Sequence, residues 1–203
     1  SYWKNRKLDS DKHSPKVYVQ YGPKEKIFLD YIIKNISPKK IIFEFGCNAG
    51  RCMRYLFDNG YKNLCGFDIN ENSIRLLFEC NLEMAWKGMF ISGELSNLKN
   101  IFKKFDVAIS KGVLFNISPD QIKSVIKHLC KADTVIIFEG VDYGNFIHNY
   151  HKLFRNFGLT CVHEEYFPSG IKDVWKDTEV AKTYARKDAV YDKNKSEIDN
   201  SSN

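Results

Sequence analysis

The chain has 203 residues, a formal net charge of +6, 43% hydrophobic and 14% aromatic residues. These values exclude a disordered chain, and the length suits one domain with a sizeable core. No apolar run approaches the roughly 20 residues that span a bilayer, and Ser1-Tyr2-Trp3-Lys4 lacks the apolar core of a signal peptide, so the expected location is the cytoplasm. Basic and acidic residues interleave along most of the chain. A nucleic-acid partner is disfavoured, because it calls for a basic stripe with interleaved aromatics. The six cysteines are scattered, with neither a CxxC pair nor a histidine at ligand spacing, which reads as reduced thiols and no metal site.

In chain order, residues 1–22 are polar, aromatic and weakly periodic, and are expected to form an N-terminal arm or lid. Pro23 opens a helix with Ile27, Phe28, Tyr31, Ile32 and Ile33 on an apolar face. The run from Lys40 to Phe45 reads as a buried parallel strand, followed by a helix from Gly50 to Asn59 that Gly60 closes. Leu64 to Asp68 is a second strand and Glu71 to Asn81 a second helix. A weak third strand falls near Met89 to Ile91, with a short helix around Ser96 to Lys103. Phe105 to Ser110 is the fourth strand, and Pro119 starts a helix to about Lys131. Thr134 to Glu139 is the fifth strand, a helix runs from about Asn145 to Phe157, and Leu159 to Phe167 is strand-like. Glu179 to Arg186 reads as a last strand or a short helix, and residues 188–203 as a disordered tail. The alternation predicts one α/β domain over residues 23–187: a Rossmann-like, doubly wound, mostly parallel seven-stranded sheet with helices on both faces. Ligands of such sheets bind outside the carboxyl ends of the strands, at the switch in strand order.

The first strand ends in Glu44-Phe-Gly46-Cys47-Asn48-Ala-Gly50-Arg51. Glycines there permit a sharp turn and close approach to a ligand, and the next helix adds free N–H groups. A dinucleotide fingerprint needs glycine where Asn48 and Arg51 stand. Glu44 would also repel a diphosphate, whereas it suits a cationic ligand. The pattern Glu44-x-Gly46-x-x-x-Gly50 resembles the first motif of the class I S-adenosylmethionine-dependent methyltransferases, with Asn48 in place of the usual middle glycine. Asp68 ends the second strand about 20 residues after the glycine loop, the position of an acid that accepts from a ribose diol. Ile69 would then lie against the adenine. The plain alternative is that Asp68 or Asn70 caps the following helix.

The resemblance extends to Ser92-Gly93-Glu94-Leu95, where the family carries an acid that holds the adenine amino group. Here the acid is Glu94, and a solvated loop carboxylate is the alternative. It extends also to Ser110-Lys111-Gly112-Val113-Leu114-Phe115-Asn116-Ile117, which is similar to the family's fourth strand and turn, with Asn116 in place of a frequent histidine. The resemblance implies that the backbone at Lys111 and Gly112 passes near the methionine part of S-adenosylmethionine. A Lys111 side chain pointing inward would oppose the sulfonium, so it faces away or meets an acidic acceptor. Residues 60–70 and Lys-Gly-Val-Leu are also similar to methylases associated with bacterial nonulosonic-sugar pathways.

The implied activity is methyl transfer by in-line displacement to a small acceptor carrying a hydroxyl, amine or carboxylate, with S-adenosylhomocysteine as product. A hydroxyl or amine acceptor calls for a general base. Glu139, Asp142, Tyr143, His148 and His151 cluster after the fifth strand. His148 and His151 stand three apart, on one face of the predicted helix. Glu139 is the favoured base, Tyr143 an alternative that shapes the pocket, and an exposed surface pair is the plain reading of the histidines. Trp3, Tyr18 and Tyr21 are expected to pack over the cofactor. A base-amino methyltransferase is disfavoured, because Ser110-Lys111-Gly112-Val113 stands where an Asn/Asp-Pro-Pro-Tyr/Phe stretch would be. RNA and protein acceptors remain alternatives, as do a non-catalytic partner keeping the fold and an NAD-linked oxidoreductase, the last disfavoured by the glycine spacing. No membrane partner is expected, and the assembly is a monomer or a homodimer.

Overall fold

The protein was analysed as a computed structural model that describes residues 2–9, 13–101, 104–140, 145–167 and 179–186. The tail 188–203 and the candidates Asp142 and Tyr143 lie outside the described residues.

Seven strands form one sheet in the order β3-β2-β1-β4-β5-β7-β6. They are β1 (Ile42–Phe45), β2 (Leu64–Asp68), β3 (Met89–Ser92), β4 (Val107–Lys111), β5 (Thr134–Gly140), β6 (Thr160–Phe167) and β7 (Glu179–Ala185). Strands β3, β2, β1, β4 and β5 are parallel, and β7 runs antiparallel to both β5 and β6. The expected doubly wound, mostly parallel sheet is therefore present. Glu179–Ala185 is a strand because its backbone pairs on both sides, which no local pattern specifies. Strand order reverses between β1 and β4, and that is the switch point.

The central strands are short apolar runs because both faces of the sheet are covered. All four residues of β1 and all five of β2 are buried. Successive side chains alternate between two cores. Ile42 packs with Phe28, Ile32, Met53 and Leu56 on one face, and Phe43 with Val125, Leu129, Phe154 and Tyr184 on the other. The first face is covered by α1 (Pro23–Asn35), α2 (Arg51–Asp58), α3 (Glu71–Cys80) and α4 (Leu82–Lys87). The second is covered by α5 (Leu98–Ile101), α6 (Ile122–Leu129) and α7 (Tyr150–Arg155).

Four local readings change. In α1 the buried face is Phe28, Leu29 and Ile32, while Ile27 is half exposed, because docking turns the helix by its fully buried residues. Helix α4 is absent from the sequence reading, since six residues with only Met84 and Ala85 buried leave no periodicity to detect. Helix α6 starts at Ile122, three residues after Pro119, because Ser118 to Gln121 first closes a turn on the Ser118 carbonyl. Helix α7 begins only at Tyr150. The Asn149 side chain caps it by accepting from the Lys152 N–H at 2.9 Å, so His148 precedes the helix and shares no helical face with His151. Among the described residues, no helix is long and apolar enough to cross a membrane.

Candidate active site

A cavity of about 460 Å³ opens at the carboxyl ends of β1, β2 and β4, at the switch point. Its lining includes Glu44, Gly46, Cys47, Asn48, Asp68, Ile69, Glu94, Leu95, Lys111 and Gly112. These stretches are distant in sequence, and the parallel register aligns their ends: Phe45 pairs with Phe67 and with Ser110. Gly50, the remaining candidate, sits beneath the loop as the residue before α2, and its Cβ position is filled by Leu77 and Met84.

The loop after β1 is held in three left-handed residues, Gly46 (φ 79°), Asn48 (φ 50°) and Gly50 (φ 84°). Asparagine tolerates this region better than other side-chain-bearing residues, which accounts for Asn48 at the middle position. Its Oδ1 accepts from the Ala49 N–H, and its own N–H donates to Asp68 Oδ2, both at 2.9 Å. The Gly46 and Cys47 N–H groups donate to the Phe67 carbonyl, tying the loop to β2.

Asp68 is buried, with Oδ1 accepting from the Asn70 N–H at 2.8 Å. Burial raises its pKa, opposed by the N–H groups of Asn70 and Asn48 and by the charge of Arg6. The cap of α3 is Asn70, which accepts from the Ser73 N–H, so Asp68 is not the capping residue. Glu44 is buried at the floor, one carboxyl oxygen without a partner among the described residues. Burial pushes its carboxyl up to about 7, although the Cys52 thiol and the charges of Arg51 and Lys111 act against this. Lys111 meets an acid, as one branch of the sequence reading has it, but the acid is Glu25 of α1, at 3.3 Å.

The N-terminal arm contributes Trp3, Lys4, Arg6 and Tyr18 to the lining. Asn70 Nδ2 donates to the Trp3 and Arg6 carbonyls at 2.9 and 3.1 Å, and Lys4 pairs with Glu94. The Arg6 guanidinium lies 4.5 Å from the Trp3 ring centroid. Tyr21 is elsewhere, edge-on to Tyr55 at 4.8 Å. Sequence reasoning missed Arg6, Lys4 and Glu25. A polar arm carries no periodicity, and Glu25 looks like any first-turn helix acid.

Glu139, His148 and His151 line a second cavity of about 270 Å³, with Tyr150 and Lys182. Glu139 Oε1 accepts from Ser110 Oγ and from the Val113 and Leu114 N–H groups at 3.1–3.2 Å, which fixes the turn after β4. Its other oxygen has no partner among the described residues, and burial pushes the carboxyl up to about 7 against those same donors. His148 Nε2 lies 2.9 Å from the Ile117 carbonyl. His151 lies 3.6 Å from Glu164 and 3.3 Å from Lys182. Val113 and Ile117 also line the first cavity, so the turn they belong to separates the two.

The fold is shared with solved methyltransferases. Magnesium protoporphyrin IX methyltransferase from Synechocystis PCC 6803, with S-adenosylhomocysteine bound, superposes with a TM-score of 0.66 at 14% identity, over 80% of this chain and 82% of that one. A TehB-like S-adenosylmethionine-dependent methyltransferase from Corynebacterium glutamicum gives 0.61 at 20% identity, over 78% and 87%. Among curated proteins, the human eEF1A lysine and N-terminal methyltransferase is 24% identical over 96 residues, 47% of this chain but only 14% of that protein's length.

Fold and family together define a class I methyltransferase that uses S-adenosylmethionine. The family profile described as Tellurite resistance protein TehB matches residues 26–139, more than half of the chain, and the protein belongs to that family.

Proposed function

We propose that the methyl acceptor is a small molecule carrying a hydroxyl, amine or carboxylate, a sugar derivative among the options, and that transfer is an in-line displacement. The observation that carries this reading is the cavity at the switch point, about 460 Å³ in volume and walled in part by the arm. Small-ligand pockets run to roughly 300–1,000 Å³, so a cofactor held there leaves room for a small acceptor group only.

In this reading Asp68 accepts from the ribose diol, Ile69 packs on the adenine and Glu94 takes the adenine amino group. The loop Gly46-Cys47-Asn48, supported by Gly50, brings the backbone close to the cofactor, and Glu44 faces the cationic methionine end near Lys111 and Gly112. The bound cofactor supplies the activated methyl group. The residues then have to orient the acceptor nucleophile within about 3–3.5 Å of it. For an acceptor that must lose a proton, Glu139 is retained as the first base to test. Its second oxygen, without a partner among the described residues, and its pKa of about 7 suit proton transfer near neutral pH. Glu139, His148 and His151 all line the neighbouring cavity, across the Val113–Ile117 turn from the first, and the two histidines and Tyr143 are the alternatives.

The 96-residue likeness to a lysine and N-terminal methyltransferase favours a protein acceptor as the second reading. The test starts with calorimetric titration of S-adenosylhomocysteine into the protein and its Asp68→Ala variant, followed by an acceptor screen. Sugars and other small metabolites lead the screen, tellurite joins it because the family is named for tellurite resistance, and peptides with free lysine and N-terminal amines form a separate arm. Micromolar binding lost in the variant and turnover of a small acceptor are the expected results. Turnover of peptides alone refutes the small-acceptor reading, and a folded protein that binds no S-adenosylhomocysteine refutes the assignment of the cavity.

A further inference from the structure

Two buried polar atoms without a partner among the described residues, Glu139 Oε2 and the Tyr150 hydroxyl, belong to side chains that line the same cavity, the smaller one of about 270 Å³. Glu139 is 3% exposed and Tyr150 8%. Burying a polar group without a hydrogen bond is costly, and burying a lone carboxylate more so. Burial pushes the Tyr150 hydroxyl up and the charge of Glu139 adds to the shift, so the two groups are near enough to interact. A ligand that completes both atoms at once offsets the cost of leaving them bare.

Charge decides which ligand that is. Lys182, which also lines the cavity, is already engaged: its Nζ lies 2.7 Å from Glu164 Oε1 and 3.3 Å from His151 Nε2, and His151 lies 3.6 Å from the same Glu164. With Lys182 balanced by Glu164, the Glu139 carboxylate is the charge left to answer. An anion would be repelled by it, and a neutral hydroxyl would supply a hydrogen bond but no countercharge. An ammonium supplies both, with up to three donors and a positive charge. The Phe146 and Tyr150 rings stand with centroids 6.3 and 5.9 Å from the His148 ring between them, and aromatic faces attract cations. The same residues hold the turn that separates the two cavities. Glu139 Oε1 accepts from the Val113 and Leu114 N–H groups, and the Phe146 N–H donates to the Phe115 carbonyl at 2.9 Å. Asn145 Nδ2 donates to Asn116 Oδ1 at 2.8 Å, and His148 Nε2 meets the Ile117 carbonyl. Val113, Asn116 and Ile117 line the larger cavity on the other side.

We propose that the smaller cavity is a binding site for a small primary or secondary amine in its ammonium form, held by the Glu139 carboxylate and the Tyr150 hydroxyl, and that its occupancy alters cofactor affinity through the Val113–Ile117 turn. The amine site stands by itself, whereas the coupling rests on the reading of the larger cavity as the S-adenosylmethionine site. The amine has two sources, the methyl acceptor or a ligand that is not methylated. As acceptor it gives one proton to Glu139 and forms one N–C bond, while the C–S bond breaks and its electron pair stays on sulfur.

The test is an amide NMR titration of the full chain with three ligands of one shape and different charge: benzylamine, benzyl alcohol and benzoate. It is run on the wild type, Glu139→Gln and Tyr150→Phe, each variant shown to be folded by its own spectrum. Benzylamine is expected to saturate with its largest shifts at the cavity amides, Gly140 and Tyr150 among them, with benzyl alcohol at least about tenfold weaker and benzoate inert. Glu139→Gln keeps the oxygen that holds the turn and is expected to weaken benzylamine at least about tenfold, and Tyr150→Phe about threefold. The site is refuted if benzylamine binds no better than benzyl alcohol, if its largest shifts fall elsewhere, or if Glu139→Gln leaves its affinity unchanged. Calorimetry of S-adenosylhomocysteine with and without saturating benzylamine reads the coupling, expected to change the affinity at least about fivefold; equal affinities refute the coupling. A wild type that binds no S-adenosylhomocysteine overturns the cofactor-site reading, and the NMR titration still decides the amine site. Mass spectrometry after incubation with S-adenosylmethionine separates the two sources: N-methylbenzylamine marks an acceptor site, and unmodified benzylamine that alters cofactor affinity marks a separate ligand.

Discussion

Substituting Glu139→Gln separates the charge of this carboxyl from its shape. Among the described residues, Glu139 Oε1 receives three hydrogen bonds and the other oxygen receives none. A glutamine keeps the accepting oxygen and places an unpaired amide N–H₂ where the free oxygen stood, which costs about 1 kcal/mol. Against that stands a gain that depends on pH. The folded-state pKa is raised from 4.5 to about 7, so below 4.5 the carboxyl is protonated in both states and carries no penalty. As pH rises from there, the unfolded chain gives up its proton first, and stability falls until the folded group ionises near 7. The full penalty above that pH is about 3 kcal/mol, because each pH unit between the two pKa values costs roughly 1.4 kcal/mol. The variant escapes it. Glu139→Gln is therefore expected to match the wild type in stability near pH 5, where roughly 1 kcal/mol of the penalty is already present, and to be about 2 kcal/mol more stable at pH 8.5. For a chain of this size that last difference is roughly 4–8 °C in Tm. Thermal unfolding followed by circular dichroism at several pH values and constant ionic strength measures the crossing, because contributions from Glu44 and His128 cancel in the difference. A variant whose Tm offset stays constant from pH 5 to 8.5 refutes the reasoning.

Gly46→Ala is expected to lose about 2 kcal/mol or more of stability and to weaken S-adenosylhomocysteine binding. Gly46 has φ 79°, and an added Cβ would lie 2.5 Å from Val113 Cγ2; unchanged calorimetric affinity counts against the loop geometry. His128→Leu is expected to flatten the acid side of the stability profile. Burial holds His128 down to about 4, so the native protein loses stability as pH falls from 6.5 toward 4, and a variant that is equally acid-sensitive in melts rules this out. Deleting residues 1–20 removes Trp3, Lys4, Arg6 and Tyr18 from the cavity wall. It is expected to abolish acceptor turnover while some cofactor binding remains, and full activity in the shortened protein contradicts the lid role.

Much of this enzyme is written locally in its chain. Buried strands announce themselves as short apolar runs ended by glycine or a polar residue, so β1, β2, β4 and β5 were legible, and with them the sheet, its switch point and the edge where a ligand belongs. The motif residues Glu44, Gly46, Asp68 and Lys111 sit at strand ends, and a parallel register carries strand ends to one edge without further information. Gly50 shows the limit of that logic, since it supports the loop from beneath and does not line the cavity.

Contacts between elements were beyond the sequence. Glu25 is one acid among many on a surface helix until α1 docks and sets it between Arg51 and Lys111. Lys4 and Arg6 belong to a segment without periodicity, and contacts from distant residues fix them over the cavity, among them the Asn70 and Asn72 amides on the Trp3 and Arg6 carbonyls and the Lys4–Glu94 pair. Glu139 is an ordinary strand-end acid in one dimension. It becomes a clamp on the turn from Val113 to Ile117 because β5 lies beside β4. Hydrophobic pattern and backbone geometry act over a few residues, so they determine the frame. The electrostatics of the site depend on distances between chain segments, and those exist only once the frame has folded.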